Sequence, residues 1–319
     1  MGRDDAGRGP TNALGGTGGL GGAGGAGGAG GAPRVGIIGA GPVGTALGVA
    51  ISRAGWPVRA VASRDTDRRE RFRVFVPSAR GFAEAASMLD EIDLGIIAVP
   101  DDAIPAVASS LRLFGGQVLV HTSGLVASDA LAPALAAGSF IGAFHPLVSF
   151  TDDVERSVEG LNGATIALEG DDAIMGLLAD LADAIGGVAV RLPRGTKPAY
   201  HAAAVMASGG LVALLDAIVT LGAAAGLDEH GSLAVYGRLM EQTLANARAI
   251  GVRAALTGPI TRGDAGTVAE HIATLERLAP GVVDLYLATA RRELQIAEER
   301  GALAPDQLER VRSALAKVV

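Results

Sequence analysis

The sequence predicts an α/β fold, with a mostly parallel sheet in its first half and an all-α C-terminal domain after it. Three observations carry this expectation. Within residues 34–62 a β-branched run, a glycine turn, a helical stretch and a second β-branched run follow one another. Apolar runs of strand length then alternate with helical stretches as far as residue 192. From residue 195 the strand pattern stops, and helical periods fill the rest of the 319-residue chain. The expected divisions are a Gly-rich leader at 1–32, a sheet domain at 33–193 and a helical domain at 194–319.

The leader holds 15 of the 47 glycines, most of them in Gly-Gly-x repeats. With so little to bury, it is expected to be disordered, because nothing offsets its conformational entropy. It lacks the continuous apolar core of an export signal, so a cytoplasmic location is expected.

The first strand is Arg34-Val35-Gly36-Ile37-Ile38, and Gly39-Ala40-Gly41-Pro42-Val43-Gly44 follows it directly. Thr45 to Gly55 reads as a helix leading to a second strand at Val58 to Ala62. This is the context that a dinucleotide fingerprint requires, and it makes the sheet Rossmann-type. Gly39 permits the tight turn, Gly41 lets the backbone approach a pyrophosphate, and Gly44 brings helix and strand together. The helix N-terminus presents its N–H groups and positive dipole end to the phosphates. An acidic residue ending the second strand would bind the ribose hydroxyls of NAD. Ser63-Arg64 stands there instead, a pair that suits the 2′-phosphate of NADP. NADP rather than NAD is expected. Asp65, one place later, argues the other way, and Arg68 stands near enough to join the site.

Further strands are expected at 93–99, 117–121, 139–144, 164–168 and 188–192, with helices at 103–112, 128–137 and 172–185. Ligands of open α/β sheets sit beyond the carboxyl ends of the strands. That rule places Val99, Pro100 and Thr122 with the cofactor, and Ser123, Gly124 and His145 with a small anionic substrate. A histidine that simply ties two loops together is the alternative for His145.

The C-terminal half reads as helices at 197–225, 228–249, 264–278, 281–299 and 305–318, with Asp228 and Asp264 as N-caps. Residues 202–227 are long and apolar enough to span a membrane, with Asp216 as their one charge. Small residues dominate the stretch and polar helices follow it. It is therefore expected to pack in the core or between subunits, giving no membrane span and a homodimer through the C-terminal helices.

Composition excludes other classes. A net charge of −7 and 3% aromatic residues argue against a nucleic-acid partner. The absence of cysteine removes disulfides, iron–sulfur clusters and a thiol nucleophile. The five histidines show no metal-ligand spacing, and no G-x-S-x-G elbow supports a serine hydrolase.

Lys197 and His201 stand four residues apart at the start of the long helix, hence on one face. Reduction of a carbonyl needs a proton donor for the developing alkoxide. An ammonium supplies the proton and the stabilising charge, and an imidazole one turn on orients the same oxygen. A solvated lysine and a satisfied core histidine are the alternatives. Arg262, in the turn Thr257 to Asp264, is a candidate carboxylate clamp; pairing with Asp264 or capping a helix are its alternatives.

The fingerprint half resembles the superfamily of 6-phosphogluconate dehydrogenase, ketopantoate reductase and pyrroline-5-carboxylate reductase. More narrowly, the chain resembles a bacterial family of Rossmann-like oxidoreductases with a C-terminal helical domain of unknown function. The residues that carry the likeness are 98–104 (AVPDDAI), 121–124 (HTSG), 145–150 (HPLVSF), 197–208 (KPAYHAAAVMAS) and 256–264 (LTGPITRGD). The resemblance implies that Lys197 takes the superfamily's catalytic-lysine position and His201 that of its usual asparagine. It places Ser208 with the substrate, next to Gly209 where the narrower family often has asparagine. It implies an NADP-dependent reductase acting on a small 2-oxo or β-hydroxy acid, ketopantoate-like. The alternatives are an imine reductase of the pyrroline-5-carboxylate type and a non-catalytic NADP-sensing dimer.

Overall fold

The computed structural model describes residues 31–316. The leader expected at 1–32 lies outside the described residues apart from Gly31 and Ala32.

Eight strands form one sheet: β1 (Val35–Ile38), β2 (Val58–Ala62), β3 (Arg80–Phe82), β4 (Leu94–Ile97), β5 (Val118–His121), β6 (Phe140–Pro146), β7 (Thr165–Gly170) and β8 (Val188–Arg191). Their order is β3-β2-β1-β4-β5-β6-β7-β8. Every neighbouring pair is parallel except β6 and β7. Both faces are covered, so successive residues enter opposite cores. Ile37 and Ile96 join one core with Leu47, Phe72 and Phe144, whereas Ile38 and Ile97 join the other with Met88, Ile104 and Leu111. The expected Rossmann-type sheet is present.

Helices α1 (Pro42–Arg53), α2 (Thr66–Phe75), α3 (Ile104–Ser110), α4 (Val154–Glu159) and α5 (Met175–Ala184) connect the strands. The sequence pattern gives no sign of α2. Its run TDRRERFRVF is so polar that Phe72 is its one buried residue. The helix forms because Asp65 caps it, accepting the Arg68 N–H at 3.1 Å. The helix expected at 128–137 is a 3-10 turn, Ser128–Ala134, since Pro133 lacks the N–H an α-helix needs.

The chain divides into two compact units between His201 and Ala202, beyond the expected boundary at 193/194. The reason is that Lys197, Tyr200 and His201 all make contacts with the end of the sheet. The division falls inside α6 (Lys197–Ala207).

The second unit contains the rest of α6, α7 (Gly209–Ala224), α8 (Glu229–Ile250), the short α9 (Val252–Ala255) and α10 (Pro259–Arg262), α11 (Ala265–Leu278), α12 (Val283–Glu299) and α13 (Pro305–Ala316). The expected single helix at 197–225 breaks at Ser208, with φ −111° and ψ −80°, where Gly209 and Gly210 lower helix propensity. Asp228 caps α8 by accepting the Gly231 N–H at 2.7 Å. Asp264 occupies the cap position of α11 without making the bond. The unit's core gathers Ile260, Val268, Ile272, Leu287, Leu294 and Val311. That core takes in Leu221 of the apolar stretch but leaves most of the stretch uncovered: 6% of its apolar window within 197–224 is buried.

Candidate active site

A cleft of about 780 Å³ opens at the carboxyl ends of β1, β2 and β4, a volume typical of a cofactor site. Gly39, Ala40, Gly41, Pro42, Val43, Ser63, Arg64, Val99, Pro100 and Thr122 line it. Gly44 does not line it but makes it possible. A Cβ on Gly44 would strike the Gly39 carbonyl, and one on Gly39, where φ is +106°, would strike the Ala98 carbonyl. The missing side chains let α1 press against the end of β1. A Cβ on Gly41 would meet nothing within 4 Å, because that position faces open space. Gly41 is also the N-cap of α1 and offers no side-chain cap. The first turn thus keeps N–H groups for a ligand, and the cradle fits a pyrophosphate.

At the end of β2 the two opposing signals, Arg64 and Asp65, both line the cleft, and they differ in what engages them. Asp65 is engaged as the cap of α2, and its carboxylate also pairs with Arg68 Nε at 3.4 Å. Arg64 lines the cleft and has no ion-pair partner among the described residues. The residue that argued for NAD is therefore a structural cap, and the guanidinium beside it remains available to a phosphate.

The second cluster sits on the residues after β5. Thr122 lines the cleft; the carbonyl of the next residue, Ser123, accepts a hydrogen bond from Lys197 Nζ at 2.7 Å. Lys197 is only 2% exposed. Burial pushes its amine down to about 8, against a partial offset from the charges of Glu169 and Asp101. His201, one turn later, reaches the adjacent Gly124. A Cβ on Gly124 would press on His201 Nδ1 and come within 2.8 Å of His145 Nε2. The bare glycine admits both rings, which meet edge-to-face at 6.0 Å between centroids. His201 Nδ1 is buried and has no hydrogen-bond partner among the described residues.

His145, on β6, pairs through Nδ1 with the Tyr200 hydroxyl at 3.1 Å. Burial, reinforced by the Lys197 charge, lowers His145 to about 4. The same two causes lower His121, at the end of β5, to about 4. Both imidazoles are neutral at pH 7. Burial raises the Tyr200 phenol above its ordinary value, so it keeps its proton.

The structure thus gathers Lys197, His201, Ser123, Gly124 and His145 around one loop, with Thr122 joining that loop to the cleft. Two predicted substrate residues belong to the second unit. Ser208 is exposed at the start of α7, and Arg262 is paired with Asp264 through Nε at 3.0 Å. Sequence reasoning passed over Tyr200, Ser128 and Glu169, and gave His121 no role. One unused signal pointed to Lys197: of 27 basic residues only two are lysines, and Lys317 lies outside the described residues. A chain that uses arginine almost everywhere places lysine, the cation whose pKa burial can lower, at the site.

The comparisons with known proteins agree with this architecture. A model described as a Rossmann-like domain matches residues 30–146, and one described as a domain of unknown function (DUF2520) matches residues 164–293. No curated protein matches in sequence. A solved structure of a Thermotoga maritima protein is 28% identical with a TM-score of 0.63, covering 83% of this chain and 99% of its own. An imine reductase from Pseudomonas sp. is 19% identical with a TM-score of 0.65, covering 86% of this chain and all of its own. An imine reductase from Myxococcus stipitatus, solved with NADP+, is 17% identical with a TM-score of 0.60, covering 82% and 94%. The likeness to the two reductases is one of fold. Sheet, glycine turn and matched models lead to one conclusion: the chain joins a Rossmann-like domain to a C-terminal DUF2520 domain.

Proposed function

We propose that the protein is an NADP-dependent reductase of a small oxo acid, with Lys197 as the proton donor. The observation that carries the reading is the buried Lys197 ammonium on the Ser123 carbonyl, one residue beyond the wall of a dinucleotide-shaped cleft. Gly39, Gly41 and the first turn of α1 would hold the pyrophosphate, and Ser63, Arg64 and Arg68 the 2′-phosphate. NADPH, when bound, supplies the hydride. Lys197 supplies the proton: an amine at about 8 is mostly charged at neutral pH and close enough to it to release a proton in the transition state. Ser123 fixes the direction of the amine. His201 and the Tyr200–His145 pair present polar hydrogen-bonding groups beside it.

The test follows NADPH oxidation across a panel of small 2-oxo acids and cyclic imines, with Lys197→Met as control. Turnover of an oxo acid, reduced about 100-fold or more in Lys197→Met, supports the proposal. Unchanged turnover in the variant removes Lys197 from the mechanism.

The fold shared with imine reductases favours a second reading, in which the substrate is a cyclic imine. An imine is already basic and asks less of its acid, so activity on imines alone would replace the first reading. Tight NADPH binding with no turnover would make the protein a sensor.

The apolar surface of α6 to α8 is assigned to a second copy of the chain. Met206 is 76% exposed, and Val212, Val235 and Leu239 are each more than half exposed. Single chains rarely leave such a surface to water. A dimer by light scattering, converted to monomer by Val212→Asp with Leu239→Asp, is expected. Recovery only with membranes would overturn the assignment.

A further inference from the structure

Lys197 is 2% exposed and Glu169 is 4% exposed. Among the described residues neither has an opposite charge within ion-pair distance. Burying either charge without compensation is costly. The sheet places them at two ends of one polar path. In register, His121 pairs with Ala143 and Ala143 with Glu169. His121 and Glu169 thus lie in one row across β5, β6 and β7, with a small residue between them.

A run of hydrogen bonds connects the two charges. Lys197 Nζ donates to the Ser123 carbonyl at 2.7 Å. The Ser123 N–H donates to His121 Nδ1 at 3.2 Å. Because Nδ1 accepts, Nε2 bears the proton and donates to the Ala127 carbonyl at 3.2 Å. The other half of that peptide, the Ser128 N–H, points to Glu169 Oε1 at 3.4 Å. Ser128 Oγ donates to the same oxygen at 3.0 Å. Every donor faces the same way, from the amine toward the carboxyl group, with one break at the Ser123 Cα, which separates that residue's C=O from its N–H. Glu169 Oε2 is buried and has no partner among the described residues, none of which is a cation that compensates it locally.

We infer that Glu169 is the counter-charge that keeps Lys197 in its ammonium form, acting through the hydrogen bonds of Ser128, His121 and Ser123. Aligned hydrogen bonds in a low-dielectric interior polarise one another and carry the field of a charge beyond direct contact. The other groups around Lys197 do not replace Glu169. Asp101, after β4, is exposed and screened by water. His121 and His145, from β5 and β6, are neutral at pH 7. Tyr200 and His201, on its own helix, bring no anion. Glu169 is thus a positioning residue, and its catalytic meaning rests on the reading of Lys197 as proton donor.

The two lysines make a direct test possible. Protein labelled with carbon-13 at the lysine ε-carbons gives two signals, and Lys197→Met assigns them. Titration by NMR is expected to place the Lys197 midpoint near 8. Glu169→Gln should lower that midpoint by about one pH unit or more, a roughly tenfold rise in the free-amine ratio at a given pH. The Lys317 signal should not move. Ser128→Ala, which removes one link, should lower the Lys197 midpoint by less. An unchanged midpoint in Glu169→Gln overturns the inference. So does a rise toward an ordinary amine, the result expected if the substitution merely unfolds the site. The readout needs no turnover: should the midpoint fall while Lys197→Met stays active, the counter-charge stands and the proton-donor reading fails. Should Lys197→Met lose turnover while Glu169→Gln leaves the midpoint unmoved, only the counter-charge fails.

Discussion

Lys197 reaches back from the start of α6 to the carbonyl of Ser123, 74 residues earlier in the chain, over 2.7 Å. An arginine at this position would keep the charge but not the chemistry, since a guanidinium does not release its proton near neutral pH. Lys197→Arg should therefore lose about 100-fold or more in kcat while NADPH affinity stays within a few-fold. Steady-state kinetics and fluorescence titration with NADPH check both halves of the expectation.

Arg64 faces the cleft without an ion-pair partner, whereas Asp65 is held in its cap. Loss of a charge-assisted contact to a phosphate is worth about 1.5–3 kcal/mol, or roughly 10- to 100-fold. Arg64→Ala should weaken NADPH binding by that factor and leave NADH binding nearly unchanged. Equal affinity of the unaltered protein for NADH and NADPH would remove the 2′-phosphate assignment.

His121 and His145 are both lowered to about 4, chiefly by burial and then by the Lys197 charge. In the unfolded chain they take up protons from about pH 6.5 downward. In the folded protein they resist protonation until about pH 4. The unfolded state therefore binds more protons throughout this window, and stability falls as pH drops through it, by several kcal/mol at most. Trp56 is the chain's one tryptophan and belongs to the first unit, so its fluorescence reports that unit's unfolding. The urea midpoint should be clearly lower at pH 5 than at pH 7. His121→Asn should flatten that dependence.

Gly124 leaves room for two imidazoles that a methyl group would displace. Gly124→Ala should cost about 1–3 kcal/mol of stability from overpacking and lower kcat more than it alters NADPH binding. A variant with normal kcat would show that the positions of His145 and His201 do not matter to turnover.

The legibility of the sequence varied with how local each feature is. The glycine turn, the strand pattern, the alternation up to residue 192 and the helical second half depend on short-range periodicity and turn geometry, and were readable directly. So was the shared face of Lys197 and His201, which one helical turn fixes. Elements without an apolar period were not readable. α2 exists through a cap and one buried phenylalanine, and the 3-10 turn at Ser128 through a proline. Arg262 was ambiguous because its loop offers Asp264 two residues away, and in the structure it takes that partner.

The sequence by itself determined the fold class, the dinucleotide turn and the kind of groups available for chemistry, because these follow from residue type and spacing. The structure decided that Asp65 caps α2 while Arg64, beside it at the cleft, keeps its charge unpaired among the described residues. It also decided that Lys197 is buried on Ser123 and that Glu169 and His121 stand in one row. The last two relationships join residues 74 and 48 (169 − 121) positions apart through burial and sheet register. The low dielectric that register and burial create is what turns an ordinary lysine into one at about 8.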